Sequence, residues 1–515
     1  LDLEGGTLRV GSVLIGSVSA PLTVGLVSGD GFLMADTNGG ILSRNNNYAT
    51  RLLVNAVIAD HGGASSLVKT GGATVQLAAA ATYTGATVIS TGTLALVGSG
   101  ALSDSTAVNL SDSSSVFDIS AISGAGTEIG TLAGVAGSSV VLGGKTLTSA
   151  AGGTTTFDGV ISGSGGSLAK YGGGILTLNG DNTFTGAVTI GGGTLVLNGN
   201  NEFAGTLTIG AGAKLSVPVI LQSGVQPLGV GTSAIVFGGN ASSGSELEYS
   251  GSASVILARD IHMAQGQGGT VNVSNASGVL TLTGELSGTS DFHKAGAGTM
   301  LISGGESWSG NGIVQEGTLI VGGAVSPGGN SISAGNWDIT TGATLRINTT
   351  GAFEASSITR DGGLQLESGT LRTNALAGNG SFTWGNATLA TLGNTTTGTV
   401  DRTDPAGSPS GPVVREGNIL VYAGGLTTGG TSGAGSLLDL GSVLLNDGLR
   451  YNQISIGGSL DLSGVDTLNF SVNPYFLRPN TPDSVYTGDW GSLILVRAAG
   501  IAGEFDAITG IGNDA

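Results

Sequence analysis

Short runs in which apolar and polar residues alternate recur along the chain, and glycine-rich segments separate them. A period of two predicts β-strands with one inward face, and Thr194–Leu197 is an example. Two or three such strands with their turns make a unit of roughly 20 to 25 residues, the length of one coil of a parallel β-helix. One coil cannot bury its own apolar side, so the pattern predicts coils that stack on one another.

Three stretches of the chain align without gaps, which indicates a sequence repeat. In each stretch a lysine precedes an aromatic residue by 14 positions and a Gly-Thr-Leu turn by 23 positions. A half-copy follows the second stretch and places Phe203 and Gly205 in the same aromatic-x-Gly order. The residues that define the three copies are Lys69, Tyr83 and Gly85; Lys170, Phe184 and Gly186; and Lys294, Trp308 and Gly310.

Each part of the repeat has a structural interpretation. We expect the aromatic ring to lie outside the narrow core and to cover a corner, while the glycine two residues later permits a tight bend. The lysine is predicted to be a solvated charge or a charge paired at a corner, with contact to a ligand as the alternative. Gly92, Gly193 and Gly317 are predicted to open the next turn.

Composition narrows the fold class. The chain has 97 glycines in 515 residues, and each glycine inside a helix costs about 1 kcal/mol relative to alanine, so the chain cannot be mostly helical. Disorder is disfavoured because 39% of the residues are hydrophobic and alternate with small polar residues. We therefore predict an all-β fold, a single-stranded right-handed parallel β-helix (β-solenoid) of about 20 or more coils.

Charge and cysteine content restrict the environment and the partners. The net charge is −18, so nothing in the chain could neutralise the phosphates of a nucleic acid. There is no cysteine, which suits a chain that crosses an oxidising compartment unfolded. No apolar run reaches the ~20 residues of a membrane helix. The chain begins at Leu1, and we expect it to be a segment of a longer polypeptide.

The repeat resembles the autotransporter-associated β-strand repeats, also called passenger-associated transport repeats, of bacterial type V secreted proteins. The family pattern is met most closely from Leu168 to Leu195, and the similarity is clear over about residues 66–330. The resemblance implies a passenger that a C-terminal β-barrel helps to export across the outer membrane. It therefore implies an extracellular or cell-surface location.

The predicted organisation has four parts. N-terminal solenoid coils span 1–65, the repeats span 66–330, and a less regular solenoid with a Pro/Gly loop near 401–414 spans 331–448. Residues 449–515 form C-terminal coils with an aromatic and proline-rich loop near 473–490, and this part resembles the segment that helps passengers to fold. The aromatic residues of that loop are predicted either to cap the coils or to bind a neighbouring subunit or a glycan; they are Tyr475, Phe476, Tyr486 and Trp490.

No arrangement of residues indicates catalysis or a cofactor. Glycan-active β-helices need carboxylates clustered in a groove, and the sequence has no Asp-Asp pair or nucleophile motif. We predict no catalytic residue, cofactor or metal site, and His61, His262 and His293 lie in unrelated contexts. Two carboxylate pairs, Glu246 with Glu248 and Asp30 with Asp36, could meet a calcium ion, but solvated acids are the favoured interpretation.

The leading functional hypothesis is a non-enzymatic extracellular rod that acts in adhesion or self-association, as part of a fibre, sheath or matrix. Its partners would be further copies of the chain, or a host, cell-surface or glycan receptor. Two alternatives stay open at this point. One is a glycan-binding or glycan-active β-helix, and the other is a passive stalk that displays another domain.

Overall fold

The computed structural model describes residues 53–381 in backbone and side chain, apart from gaps at 56, 60–63, 65, 73, 105, 151, 239–243, 265–267, 323–334, 370, 374–375 and 379, where at most the backbone is described. Outside this range it describes the backbone of further strands. The chain divides into two units, Leu1–Gly251 and Ser252–Ala515. Each unit is an all-β parallel solenoid, and the described residues include no helix.

In the first unit the chain passes through two or three strands per coil, and each strand pairs in parallel with its equivalent in the next coil, so the unit has three parallel sheets. The first sheet contains Gly39–Ser43, Ser66–Thr70, Thr87–Ile89, Val108–Leu110, Leu132–Gly134, Thr155–Phe157, Ile175–Leu178, Thr194–Leu197, Lys214–Val217 and Ser245–Tyr249. The second contains Leu52–Val54, Thr74–Leu77, Thr93–Gly98, Val116–Ile122, Ser139–Val141, Val160–Gly163 and Thr183–Phe184. The third contains Gly126–Ile129, Thr146–Ser149, Ser167–Lys170, Val188–Ile190, Leu207–Gly210 and Ile235–Gly238.

The second unit repeats this arrangement and then continues with longer strands. Its first sheet contains Gly269–Val273, Phe292–Ala295 and Gly312–Val314, and its third contains Ile261–Met263, Leu286–Gly288 and Glu306–Trp308. Its second sheet contains Ser254–Leu257, Val279–Leu282, Thr299–Ile302 and Thr318–Val321. The longer strands are Ile332–Ile339, Thr344–Arg360, Gly363–Thr373 and Phe382–Thr391. Shorter strands follow at Leu376–Ala377, Thr395–Thr397, Val400–Asp401, Ile419–Tyr422, Leu426–Thr428, Leu437–Val443, Gln453–Ile456, Ser459–Asp461, Thr467–Val472, Val496–Arg497, Gly500–Ala502 and Ala507–Thr509.

The structure confirms the all-β parallel solenoid, with about 14 turns among the residues it describes. The prediction of 20 or more coils is wrong, because it divided the whole chain by one coil length. Coil length in fact varies: Val188 pairs with Leu207, 19 residues on, whereas Leu207 pairs with Ile235, 28 residues on. Long excursions of this kind use chain without adding a turn.

The core follows from the alternation of residues along each strand. In Thr194–Leu197 the leucines are buried and Thr194 and Val196 are partly exposed, as the period of two predicts. Register then stacks like on like, so that Leu176 lies beside Leu195 and Leu195 beside Leu215. Each unit therefore has a continuous aliphatic interior, and no single coil could bury it alone.

The N-terminal edge of the first unit departs from the parallel pattern. The strands Thr23–Val24, Phe32–Asp36 and Gly39–Ser43 pair antiparallel, and Gly39–Ser43 then pairs in parallel with Ser66–Thr70. A further parallel pair joins Val13–Gly16 to Ile58–His61. An exposed sheet edge is a template for unwanted pairing, and the antiparallel strands occupy this one.

Glycines with a left-handed backbone make the corners. Gly92, Gly193 and Gly317 have φ angles of 66°, 62° and 65°, which confirms the turns predicted at these positions. A side chain at Gly193 would also overlap the carbonyl oxygen of Gly174 on the coil below. The stacking of coils therefore excludes side chains there on two grounds, backbone conformation and space.

We expect Gly193→Ala to destabilise the first unit by about 2 kcal/mol or more, because alanine resists the left-handed conformation and would push the two coils apart. Gly173→Ala is the matched control, since a Cβ atom at Gly173 would have no neighbouring atom within 4 Å and the residue has no left-handed φ. Denaturant unfolding followed by circular dichroism measures both. Equal midpoints for the two variants would show that the corner does not constrain the fold.

Candidate functional site

The lysine of each repeat copy lies inside the solenoid. Lys69, Lys170 and Lys294 have 0%, 1% and 0% of their surface exposed, so of the two predicted alternatives the solvated charge is wrong and the charge paired at a corner is the one that agrees with the structure. The period of two explains the burial, because each lysine lies two residues after an inward residue, such as Leu67 before Lys69. The alternation of residues in the sequence therefore predicts burial of the lysine, although its charge favours exposure.

The ammonium group of each lysine donates to three backbone carbonyl oxygens, an arrangement that we call the lysine clamp. Two of the carbonyls follow the lysine directly, and the third belongs to the next coil, 22 residues on. The acceptors and distances are Thr70 (3.0 Å), Gly71 (2.5 Å) and Thr91 (2.8 Å) for Lys69; Tyr171 (2.5 Å), Gly172 (2.9 Å) and Gly192 (3.4 Å) for Lys170; and Ala295 (2.8 Å), Gly296 (2.7 Å) and Glu316 (3.0 Å) for Lys294.

Left-handed glycines turn these carbonyls toward the ammonium group. Gly71 has a φ of 73° and supplies one acceptor for Lys69, while Gly92, with a φ of 66°, follows the acceptor Thr91. The corresponding pairs in the other copies are Gly172 with Gly193 and Gly296 with Gly317. The repeat therefore places one lysine and two glycine corners together because they form one unit of structure.

Burial disfavours the charged form of a lysine and lowers its pKa, to about 8 for Lys69 and for Lys294. Burial also lowers the pKa of Lys170. At pH 7 the ammonium of Lys69 or Lys294 keeps its proton, and charge-assisted hydrogen bonds to carbonyls compensate the loss of water. The clamp thus holds two coils together, and its ammonium group is enclosed within the solenoid.

The clamps of the first two copies lie on different faces of the first unit. Lys69 belongs to the first sheet and Lys170 to the third sheet, so the second copy is rotated by one face relative to the first. In the second unit Arg360 takes a comparable place, because register leads from Lys294 through Val314 and Ile339 to Arg360. Arg360 is fully buried and donates to the carbonyl of Gly380 on the next coil.

The aromatic residues of the repeat are also inside. Tyr83, Phe184 and Trp308 are at most 3% exposed, so the expectation that they cover a corner outside the core is wrong. Phe184 stacks on Phe203 of the half-copy with ring centroids 5.8 Å apart. In the second unit a column of rings runs through successive coils; its members are Phe292, Trp308, Trp337 and Phe353. The rings fill wide parts of the interior and align neighbouring coils.

The glycine after each ring lies at a bend, as predicted, and it also lies against the preceding coil. A side chain at Gly186 would overlap the carbonyl oxygen of Gly166, and one at Gly310 would overlap that of Ser290. The indole nitrogen of Trp308 donates to the same Ser290 carbonyl at 2.7 Å. Gly85 is partly exposed. These positions are structural, and none presents a reactive group to solvent.

The carboxylates considered for calcium have a different partner. Lys214 Nζ lies 3.1 Å from Glu246 Oε1 and 3.0 Å from Glu248 Oε2, on adjacent strands of the first sheet. Among the described residues no group of three or more His, Cys, Asp or Glu side chains could hold a metal ion. The side chains of Asp30, Asp36 and His61 lie outside the described residues, as do Tyr475, Phe476, Tyr486 and Trp490 with their proline-rich loop.

Glu306 of the third repeat copy lies in an environment that differs from that of its counterpart in the second copy. It aligns with Asn182 of the second copy, whose side chain accepts from Ile161 N and donates to Gly180 O and Asn201 Oδ1. Both carboxyl oxygens of Glu306 are buried without a hydrogen-bond partner in the described part of the chain. Burial raises the pKa of Glu306 to about 8, so this position favours a neutral carboxylic acid.

Comparison with known proteins agrees with this geometry. The family model of the passenger-associated transport repeat matches residues 67–96, 168–197, 190–213 and 292–321, which contain all three lysine clamps and the Phe203 half-copy. The chain therefore carries passenger-associated transport repeats, and these support an autotransporter passenger. A passenger of this kind is exported and exposed at the cell surface.

A curated relative of this passenger is the "Adhesin BmaC autotransporter" of Brucella suis biovar 1 (strain 1330). The two are 28% identical over 368 residues, which cover 70% of this chain and 9% of the relative. The passenger thus spans less than a tenth of the length of that protein. No solved structure matches the chain. Within the described residues, no helix has the length and apolar character needed to cross a membrane.

We expect Lys69→Met to destabilise the chain by about 2–4 kcal/mol at pH 7, because it leaves three partly buried carbonyls without their charged donor. Lys145→Met is the control, since Lys145 Nζ donates to a single exposed carbonyl, that of Gly124, and its loss should change stability by less than about 0.5 kcal/mol. Chemical denaturation measures both variants. A Lys69→Met variant as stable as the control would contradict the clamp.

Glu306→Gln should remove a pH dependence from stability. The folded carboxyl keeps its proton up to about pH 8, whereas the unfolded carboxyl releases it near its ordinary value of 4.5. The stabilisation is therefore present below about pH 4.5 and lost as the pH rises through 8. The variant should match the parent at pH 4 and exceed it at pH 9, as measured by thermal unfolding. A variant that is less stable at pH 9 would refute the burial of a neutral acid.

Proposed function

We propose that this passenger is a non-enzymatic adhesive segment of a cell-surface protein, a stacked-coil scaffold that binds surfaces or further copies of itself. The observation that carries the proposal is where its lysine side chains lie. Of the five lysines, three are enclosed in clamps and Lys214 is held by two glutamates. These four lysines thus stabilise coil stacking, and the outward positions of the described residues are largely serine, threonine, asparagine and glycine.

The outward surface suits adhesion because it is extensive and repetitive. Side chains at equivalent outward positions stack from coil to coil; Asn179, for example, donates to Asp158 Oδ1 and accepts from Asn198. Such columns offer hydrogen-bonding groups at the strand spacing of about 4.8 Å and allow many weak contacts to add along one face. The relative named an adhesin supports the same function for this chain.

Beads coated with the purified chain test this function. We expect them to be retained on at least one of three surfaces several-fold above beads coated with albumin: cultured animal cells, immobilised matrix proteins, or a layer of the same chain. Retention on none of them would leave only a spacer role and would overturn the proposal. Incubation with a panel of polysaccharides should release no reducing ends, and release would show an enzyme instead.

A further inference from the structure

The excursion between the strands Lys214–Val217 and Ile235–Gly238 differs from the rest of the first unit. It occupies residues 218–234 and makes the 28-residue coil noted above. We call it the apolar loop. No charged residue lies between Lys214 and Glu246, although the chain as a whole carries a net charge of −18.

The apolar loop is held in place by buried contacts with the coil below it. Asn201 is 1% exposed, its backbone pairs with Gln226, and its side chain donates to the carbonyl of Pro227 at 2.9 Å. Gln226 Oε1 accepts from the backbone of Leu221 at 2.9 Å and joins the two limbs of the loop. Ile220 and Leu228 are 3% and 0% exposed and anchor the loop in the core. Because it is anchored, binding at its surface would cost little ordering entropy.

On its outer side the apolar loop exposes four aliphatic side chains. Val219, Leu221 and Val225 are each 43% exposed and Val230 is 41% exposed. They make up half of the eight large hydrophobic side chains that are exposed in the described part of the chain. The hydrogen bonds of Gln226 to Leu221 and to Gly229 hold the segments that carry them close together. A rigid cluster of this kind marks an interaction surface.

We propose that the apolar loop is the surface through which two copies of this chain associate, each loop packing on the same loop of the other copy about a twofold axis. The distribution of charge favours a second copy of the chain over other partners of the loop. Two chains with a net charge of −18 repel each other wherever acids face acids, and the uncharged loop lets them approach and bury apolar surface. The inference rests on the proposed adhesive function and names one partner of it.

Other occupants fit the loop less well. It has no lysine or arginine to bind anionic lipid headgroups, and no aromatic ring to stack on a sugar. An aliphatic cluster of this size makes a small interface, so we expect weak association in solution and stronger association where many copies are held on one surface. Salt should strengthen the contact, because it screens repulsion between the acidic remainders of the two chains.

The absence of cysteine from the chain allows a direct test. In a twofold contact Leu221 lies near its own counterpart, so Leu221→Cys should form a disulfide-linked dimer under mild oxidation. Val135→Cys is the matched control, since Val135 is 42% exposed and lies outside the loop. We expect at least tenfold faster dimer formation for Leu221→Cys, measured on non-reducing gels. Equal rates for the two variants would overturn the inference.

Leu221→Asp provides the second arm, with Val135→Asp as its control and circular dichroism to verify folding. Beads coated with Leu221→Asp should lose retention on a layer of the same variant by about tenfold, while Val135→Asp beads are retained on a layer of Val135→Asp.

The contradicting outcomes separate the loop contact from the adhesive function. If parent beads adhere to any of the three surfaces but Leu221→Asp beads are retained on their own layer as well as the parent is, the loop contact alone is refuted. Parent beads that adhere nowhere would refute the adhesive function itself. Loss of binding only to uncharged phosphatidylcholine vesicles would assign the loop to lipid and overturn the inference.

Discussion

Hydrogen bonding between successive coils is the interaction on which the rest of the structure depends. Apart from tight turns such as Gly166 N to Gly163 O, a coil offers its backbone amides no partner, so these must meet a carbonyl of the coil above or below, as Gly186 N meets Gly166 O at 2.7 Å. That demand fixes the close spacing of the coils. The close spacing explains why corners need glycine, why like residues stack on like, and why coils stabilise one another.

The lysine clamp is a consequence of the same demand. Corner carbonyls point inward where the backbone is left-handed, and they would be buried without donors if nothing filled the corner. An ammonium group supplies three donors on a flexible stem and can satisfy carbonyls of two coils at once. Because the third acceptor belongs to the next coil, the ammonium group makes all three of its hydrogen bonds only after two coils have stacked. The clamp therefore favours the stacked state over an isolated coil.

Sequence patterns predicted the fold class well and the roles of charged and aromatic residues poorly. The alternation in Thr194–Leu197 and the glycine corners at Gly92, Gly193 and Gly317 followed directly from local rules, because backbone geometry decides them. The charge of Lys69 and the size of Tyr83 both favour a position outside a narrow core, yet both side chains are buried. For Lys69 the alternation of residues already predicts burial, because it follows the inward Leu67 by two positions. The apolar loop was missed because its anchor, the Asn201 contact with Gln226, joins residues that no local pattern links.

A passenger with the proposed adhesive function combines a stable fold with a surface of few distinctive features. Its charged and aromatic side chains that stabilise the fold are enclosed, which leaves small polar residues and a few exposed aliphatic groups for contact with partners. Selective acetylation under native conditions tests this division most directly. At pH 8 an amine-reactive acetylating reagent, read out by peptide mass spectrometry, should modify Lys145 rapidly and leave Lys69, Lys170 and Lys294 unmodified until the chain is unfolded. Comparable acetylation rates for all four lysines would contradict the claim that the clamp lysines are enclosed and hold neighbouring coils together.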